Sequence, residues 1–329
     1  ENFITQNQVS KTVNYIKQTK PKLAYISPLP PEQSGISDYS AELLPALSKY
    51  YDIEVIVNQK EVSDEWIKKN LSIRDVQWFK ANSDHYQRVL YHIGNSQFHI
   101  HMFNLLDKIP GVVVLHDFYL SGVMSYIEHI GISHHHFTRM LYHSHGYKAV
   151  IEKFNDPSGA IWKYPCNYSV VQNALGIIVH SEFSKKLANT WYGNEVVKDW
   201  HVIPHLRVTH NNVIDKIVVR KHLNIPHDAF VICSFGILYR TKCNHRLLEA
   251  FLTSKLSKNE KCYLIFVGEN NSGEYSEKLI DNINRSSIKK RVRITGWVDS
   301  VTFKKYLACA DVAVQLRNLS RGETSGTVL

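Results

Sequence analysis

The sequence has no apolar run near the roughly 18 residues needed to span a bilayer, and its polar start lacks the apolar stretch of a secretory leader. Neither a membrane-spanning chain nor a signal-led one is supported. Its five cysteines (Cys166, Cys233, Cys243, Cys262, Cys309) are scattered, with no C-x-x-C pair. That excludes a disulfide scaffold and a zinc ribbon, and reads as the reduced thiols of a cytosolic protein. The first strand-to-helix loop holds one glycine, not G-x-G-x-x-G, and no acidic residue closes VIVNQ (55–59) to hold an adenosine ribose, so hydride transfer has little support. No D-x-D stands at a strand end to hold a divalent cation on a diphosphate. HHHFTRMLYHSH (134–145) lacks H-E-x-x-H, and its successive histidines point in different directions on a helix. They read as solvated surface histidines, and no metal is expected. Fixed-period repeats and low-complexity tracts are also missing.

What is present is a globular composition of 44% apolar and 21% charged residues, over 329 residues that suffice for two domains. The formal charge of +9 is spread rather than blocked, without an RNA-binding signature. It favours anions such as nucleotides or phospholipid surfaces over nucleic acid.

Short β-rich runs alternate with helical patterns, as in a parallel α/β sheet. The first series is LAYIS (23–27), IEVIV (53–57), RVLYHI (88–93), GVVVLH (111–116) and GIIVHS (176–181). After the opening loop, Ile36, Tyr39, Leu43, Leu47 and Tyr50 form a helical stripe that Ser34 or Ser37 can cap. Pro45 predicts a kink there. The second series is FVICSFGI (230–237), CYLIFVG (262–268), RVRITG (291–296) and VAVQLR (312–317), with helical patterns in HRLLEAFLTSKL and FKKYLACA. Two Rossmann-like, doubly wound domains facing a cleft follow: residues 1–206 and 207–329. Ligands are expected beyond the carboxyl ends of the strands. The chain starts at Glu1 without methionine and stops at Leu329 inside an expected helix, so residues upstream and an incomplete second domain are expected.

Three loops carry candidate chemistry. SPLPPEQSGISDYS leaves the first strand through Pro28, Pro30, Pro31 and Gly35 into a helix N-terminus, where free N–H groups attract an anion. FGILYRTKCNHRLL (235–248) leaves a strand at Gly236 and sets Arg240 and Lys242 before a helix, where they can neutralise a departing diphosphate. LRNLSRGETSGTVL (316–329) offers Arg321, Gly322, Glu323, Thr324, Ser325 and Gly326, a carboxylate beside small residues, suited to sugar hydroxyls and phosphate together. In the first half, VVVLHDFYLSG puts His116 and Asp117 at a strand end, where an imidazole can hydrogen-bond an acceptor hydroxyl or accept its proton. YHIGNSQFH sets Gly94, Asn95 and His99 at the neighbouring rim.

With SPLPPEQSGISDYS, GNSQFH, PGVVVLHDFYLSG, HSEFSKKL, VIPH, Lys242, ADVAVQLR and RGETSG in this order, the chain resembles the GT-B glycosyltransferases, in particular the retaining family 4 (group 1) enzymes of bacterial polysaccharide synthesis. The resemblance covers about residues 21–329. It implies Gly35 facing the donor phosphate, His116 near donor sugar and acceptor, and Lys242 on the diphosphate. It also implies Gly296, Trp297 and Val298 at the nucleotide base, and Glu323 and Gly326 as the first glutamate and internal glycine of E-x7-E. Asp117, Asn95 and His99 would lie on the acceptor side.

Two departures stand out. Ile237 follows Gly236 where the family often has arginine, with Arg240 the expected substitute, and the second glutamate of the pattern would fall past Leu329. The implied activity is a hexosyltransferase that uses a nucleotide-diphospho-sugar and a glycan or lipid-linked acceptor, without metal or other cofactor, in the cytoplasm or at the inner membrane face. A GT-B sugar-nucleotide epimerase and a non-catalytic sugar-nucleotide-binding partner domain are the alternatives.

Overall fold

The computed structural model describes residues 20–206, 215–270 and 273–323. Seven strands form the first sheet: β1 (Lys22–Ile26), β2 (Asp52–Val57), β3 (Ser72–Asp75), β4 (Arg88–Ile93), β5 (Val112–Leu115), β6 (Gly176–Val179) and β7 (Trp200–Val202). All neighbours are parallel, in the order β3-β2-β1-β4-β5-β6-β7. A second parallel sheet is built from β8 (Phe230–Phe235), β9 (Cys262–Val267), β10 (Val292–Ile294) and β11 (Val312–Ala313), in the order β10-β9-β8-β11. Each order reverses beside its first strand, between β1 and β4 and between β8 and β11. Those reversals open the crevices where ligands sit in such sheets.

The strands read as unbroken apolar runs because helices cover both faces of each sheet. Alternate residues supply separate cores: Leu23 and Tyr25 pack on one side of β1, Ala24 and Ile26 on the other. In the second sheet, Ile232 with Leu264 and Phe266 faces one core, and Val231, Cys233 and Phe235 with Ile265 face the other. The sequence reading missed β3 and β7. Both are short outer strands with half-exposed patterns, so neither shows an apolar run.

Helix 35–47 corrects two expectations. Its buried residues are Ser37, Tyr39, Ser40 and Leu44; Leu43 and Leu47, from the expected stripe, are partly buried at the edge of that face against the same core, and Tyr50 lies beyond the helix, exposed. The cause is polar: the Ser40 hydroxyl accepts from the Tyr25 hydroxyl at 3.0 Å and pairs with Ser27 at 2.7 Å, drawing a small-residue face onto β1. The helix runs through Pro45 and ends two residues later, so the proline closes it instead of kinking it. A break in helical geometry lies instead at Gly146, inside helix 136–155. Ser34, not Ser37, is the cap and accepts from the Ile36 N–H. The histidine cluster is also only partly solvated. His145 accepts from the Cys166 N–H at 3.1 Å and packs on Trp191, and His136 lies against the Met124 sulfur.

Candidate active site

At the first reversal, the loop after β1 is fastened from β2: the Gln59 amide bonds both Leu29 N–H and Leu29 carbonyl, at 2.9 and 2.8 Å. A Cβ added at Gly35 would meet nothing within 4 Å, so this glycine borders open space and not packed atoms. Gly94, by contrast, is packed in: a Cβ there would approach Asp117 Oδ2 and His99 Nε2 at 3.1 Å. Asp117 Oδ2 accepts the Asn95 N–H at 2.8 Å, and Asn95 Oδ1 accepts the Val123 N–H at 2.8 Å. His99 Nδ1 bonds the His92 carbonyl at 3.0 Å. Asn95, His99, His116 and Asp117 therefore do converge. His99, however, is fully buried and stands behind the site, not at its surface.

His116 lies in a stack that sequence reasoning did not assemble. Its Nε2 is 3.0 Å from His92 Nδ1, with one proton bridging the pair. His180 follows at 4.9 Å between ring centroids, then His205 at 5.1 Å from His180, and Tyr39 packs against all four rings. Burial, then the neighbouring histidines, hold His92 and His116 well below the usual imidazole range, so both are neutral. Burial alone pushes the Tyr39 phenol up to about 12. A textual trace of the stack exists: RVLYHI, GVVVLH, GIIVHS and VIPH each carry a histidine at a strand's carboxyl end. Among the described residues no group of three or more His, Cys, Asp or Glu is arranged to hold a metal ion.

On the second domain, Gly236 follows β8 with φ +90°, and Gly268 approaches it so closely that a Cβ on Gly268 would lie 2.3 Å from the Gly236 carbonyl oxygen. Arg240–Lys242 form a single 3-10 turn before helix 244–253. Burial, then the field of Arg317, lowers the Lys242 ammonium to about 8. Arg240 is exposed, and its charge acts on Glu274 and Tyr275. Gly296 has φ +72°, the Trp297 N–H is taken by Glu269 Oε2 at 2.9 Å, the Trp297 ring is exposed, and Val298 packs on the domain core. Glu323 is engaged on both oxygens, by the Arg317 guanidinium and by the Arg321 N–H at 2.6 Å. Thr324, Ser325 and Gly326 lie outside the described residues.

The two domains meet at the Glu323 loop. The Gly322 carbonyl accepts from the Phe118 N–H at 3.4 Å and the Ser184 hydroxyl at 3.1 Å. The Arg321 guanidinium lies over Trp162 at 4.3 Å and Tyr119 at 5.3 Å, and donates to the Ile161 carbonyl at 3.3 Å. Asp117, its carboxyl raised by burial, feels both Arg321 and Arg317 across this contact. Arg317 and Arg321 thus lie near Asp117 and Glu323; Arg321 is legible only as part of its loop, and nothing local in LRNLSRGE separates Arg317 from a solvated cation.

Residues 215–329 match the family model of the glycosyl transferases group 1. A 91-residue segment is 32% identical to the chitobiosyldiphosphodolichol beta-mannosyltransferase of Dictyostelium discoideum, over 28% of this chain and 18% of that protein. Among solved structures, HepE of Anabaena, in complex with UDP and glucose, aligns over 94% of this chain and 77% of its own, at 15% identity and TM-score 0.63. Sucrose-phosphate synthase from Thermosynechococcus elongatus aligns over 92% and 77%, at 16% identity and TM-score 0.59. Residues 215–329 are thus similar to the group 1 glycosyl transferases, and the two sheets build the GT-B fold.

Proposed function

We propose that the protein is a glycosyltransferase that moves a hexosyl group from a nucleotide-diphospho-sugar to a hydroxyl of a glycan or lipid-linked acceptor, retaining the anomeric configuration and needing no divalent metal. The observation that carries this reading is a single meeting point. Through Gly322 the loop bearing Glu323 abuts the loop bearing His116 and Asp117, and through the Asn318 N–H on the Thr241 carbonyl the same loop joins the turn bearing Lys242.

In this scheme the bond between the anomeric carbon and the phosphate oxygen breaks, and its electrons leave on the diphosphate. Lys242 neutralises that charge in a partly desolvated place, where a cation is worth more than in water. The acceptor oxygen bonds the anomeric carbon on the face the diphosphate leaves, and its proton departs with the diphosphate. Glu323 orients sugar hydroxyls. His116, neutral and fixed by His92, hydrogen-bonds sugar or acceptor without bringing a second positive charge. The contact between the domains keeps water from the anomeric carbon. The charge of +9 suits a lipid-linked acceptor at the anionic inner face of a membrane, in surface polysaccharide or glycoconjugate synthesis.

The test is a thermal-shift panel with UDP-, GDP-, ADP- and dTDP-sugars, with and without EDTA, followed by acceptor-dependent release of nucleoside diphosphate. Stabilisation by one nucleotide class that EDTA leaves alone, with release that Lys242→Ala and Glu323→Ala abolish, supports the reading. Interconversion of two sugar nucleotides without release would mean an epimerase, and binding without turnover a non-catalytic domain. Retention is checked separately, from the anomeric proton coupling of the product, because the Dictyostelium relative is named a beta-mannosyltransferase.

A further inference from the structure

The second reversal leaves an open question: a diphosphate carries more charge than one lysine balances, and the residue after Gly236 is the exposed Ile237. Arg240 lies in the same turn as Lys242, yet it is exposed and its charge is directed at helix 274–285. The neighbouring loop supplies a better placed cation. Because β8 and β11 are adjacent, their carboxyl-end loops run side by side, and the Asn318 N–H donates to the Thr241 carbonyl at 3.0 Å. Lys242 and Arg317 each lie one residue from that bond, on either side of the crevice where the sheet order reverses.

We propose that Arg317 is the second diphosphate-binding cation beside Lys242, and that Glu323 holds the Arg317 guanidinium until the diphosphate takes its place. The proposal rests on the sugar-nucleotide reading above and deepens it. Three observations bear on it. Arg317 is exposed along its backbone, but its side chain is sheltered to an exposure of 29%, and its partner is the very carboxylate that sugar hydroxyls would engage. Lys242 is lowered by burial and by Arg317, as befits two cations held close around a place an anion can occupy. A planar guanidinium also matches two phosphate oxygens at once, which an ammonium does not. Donor binding is then an exchange: phosphate oxygens replace the Glu323 carboxylate on Arg317, and that carboxylate turns to the sugar.

The experiment is isothermal titration calorimetry of the intact protein with UDP, GDP, ADP and dTDP, each beside its own nucleoside. For the diphosphate that binds, Arg317→Gln weakens affinity about 10- to 100-fold, the range of lost charge-assisted hydrogen bonds, and leaves nucleoside affinity unchanged. Unchanged nucleoside binding also shows that the variant is folded. Arg317→Lys recovers part of the loss. Glu323→Gln, which frees Arg317, tightens the free diphosphate about 3- to 10-fold, as removal of one weak competing ion pair allows. Full affinity in Arg317→Gln overturns the inference, with a loss in Arg240→Gln then naming the cation instead, and leaves the sugar-nucleotide reading standing. If no diphosphate binds the wild type more tightly than its nucleoside, both fall together.

Discussion

His99 gives a direct measure of how dry the floor of the first domain is. Its imidazole is fully buried, Nδ1 bonds the His92 carbonyl, and Nε2 has no hydrogen-bond partner. Burial, then the field of His101, holds it down to about 3, against the ordinary 6.5. A histidine whose folded pKa is depressed binds fewer protons folded than unfolded. Its neutral form therefore costs the fold nothing above pH 6.5, and stability is lost progressively as pH falls from 6.5 towards 3.

Between pH 7 and pH 5 the loss from this group alone is about 2 kcal/mol, at roughly 1.4 kcal/mol per pH unit below 6.5. The assay is urea unfolding followed by tryptophan fluorescence, because five of the six tryptophans lie in the first domain. The wild type is compared with His99→Gln at pH 7, 6 and 5. The variant is expected to lose about 2 kcal/mol less than the wild type over that interval, the difference that follows from the same linkage. Parallel pH dependences in the two proteins, within about 0.5 kcal/mol, would refute the burial argument.

Three further outcomes can be checked. Lys242, lowered to about 8 while free, regains its proton against a diphosphate; affinity should be full below pH 8 and fall as pH rises past it, read by calorimetry between pH 6.5 and 9.5. Gly322→Ala would put a Cβ 2.7 Å from the Phe118 Cβ at φ +74°, so acceptor-dependent turnover should drop about 5- to 30-fold, the equivalent of 1–2 kcal/mol of left-handed strain. The urea midpoint read by the first-domain tryptophans should stay in place. Arg220 is buried between Asp311 Oδ2 at 2.7 Å and the Cys309 carbonyl at 3.0 Å, so Arg220→Ala should destabilise the second domain by about 3 kcal/mol or more, seen as an earlier thermal transition.

What the sequence disclosed follows from burial. Strands covered on both faces, such as Asp52–Val57 and Phe230–Phe235, announce themselves as apolar runs, and loops after such strands carry His116 and Lys242, whereas Glu323 follows the short, exposed strand Val312–Ala313. The outer strands Ser72–Asp75 and Trp200–Val202 escape because one side meets water. The centre of the buried face of helix 35–47 was displaced from the expected stripe, with Leu43 and Leu47 at its edge, because serine-to-tyrosine and serine-to-serine bonds draw Ser40 onto β1. His92, His180 and His205 could not be gathered around Tyr39 from local pattern, since their meeting depends on which strands lie side by side. The Arg317–Lys242 pairing has the same origin, in the adjacency of β8 and β11 across some eighty residues of chain.

The docking of Gly322 on Phe118 and Ser184 also bears on timing. The Glu323 carboxylate stands one residue beyond a carbonyl gripped by the opposite domain, and the Arg321 side chain one residue before it is clasped by Tyr119 and Trp162. Parting the domains would release all of these contacts together and carry Glu323 away from His116 in the same movement. In the proposed reaction a donor would enter while the domains are parted and meet the assembled arrangement only once Gly322 is docked again, so that the parted molecule would not expend it on water.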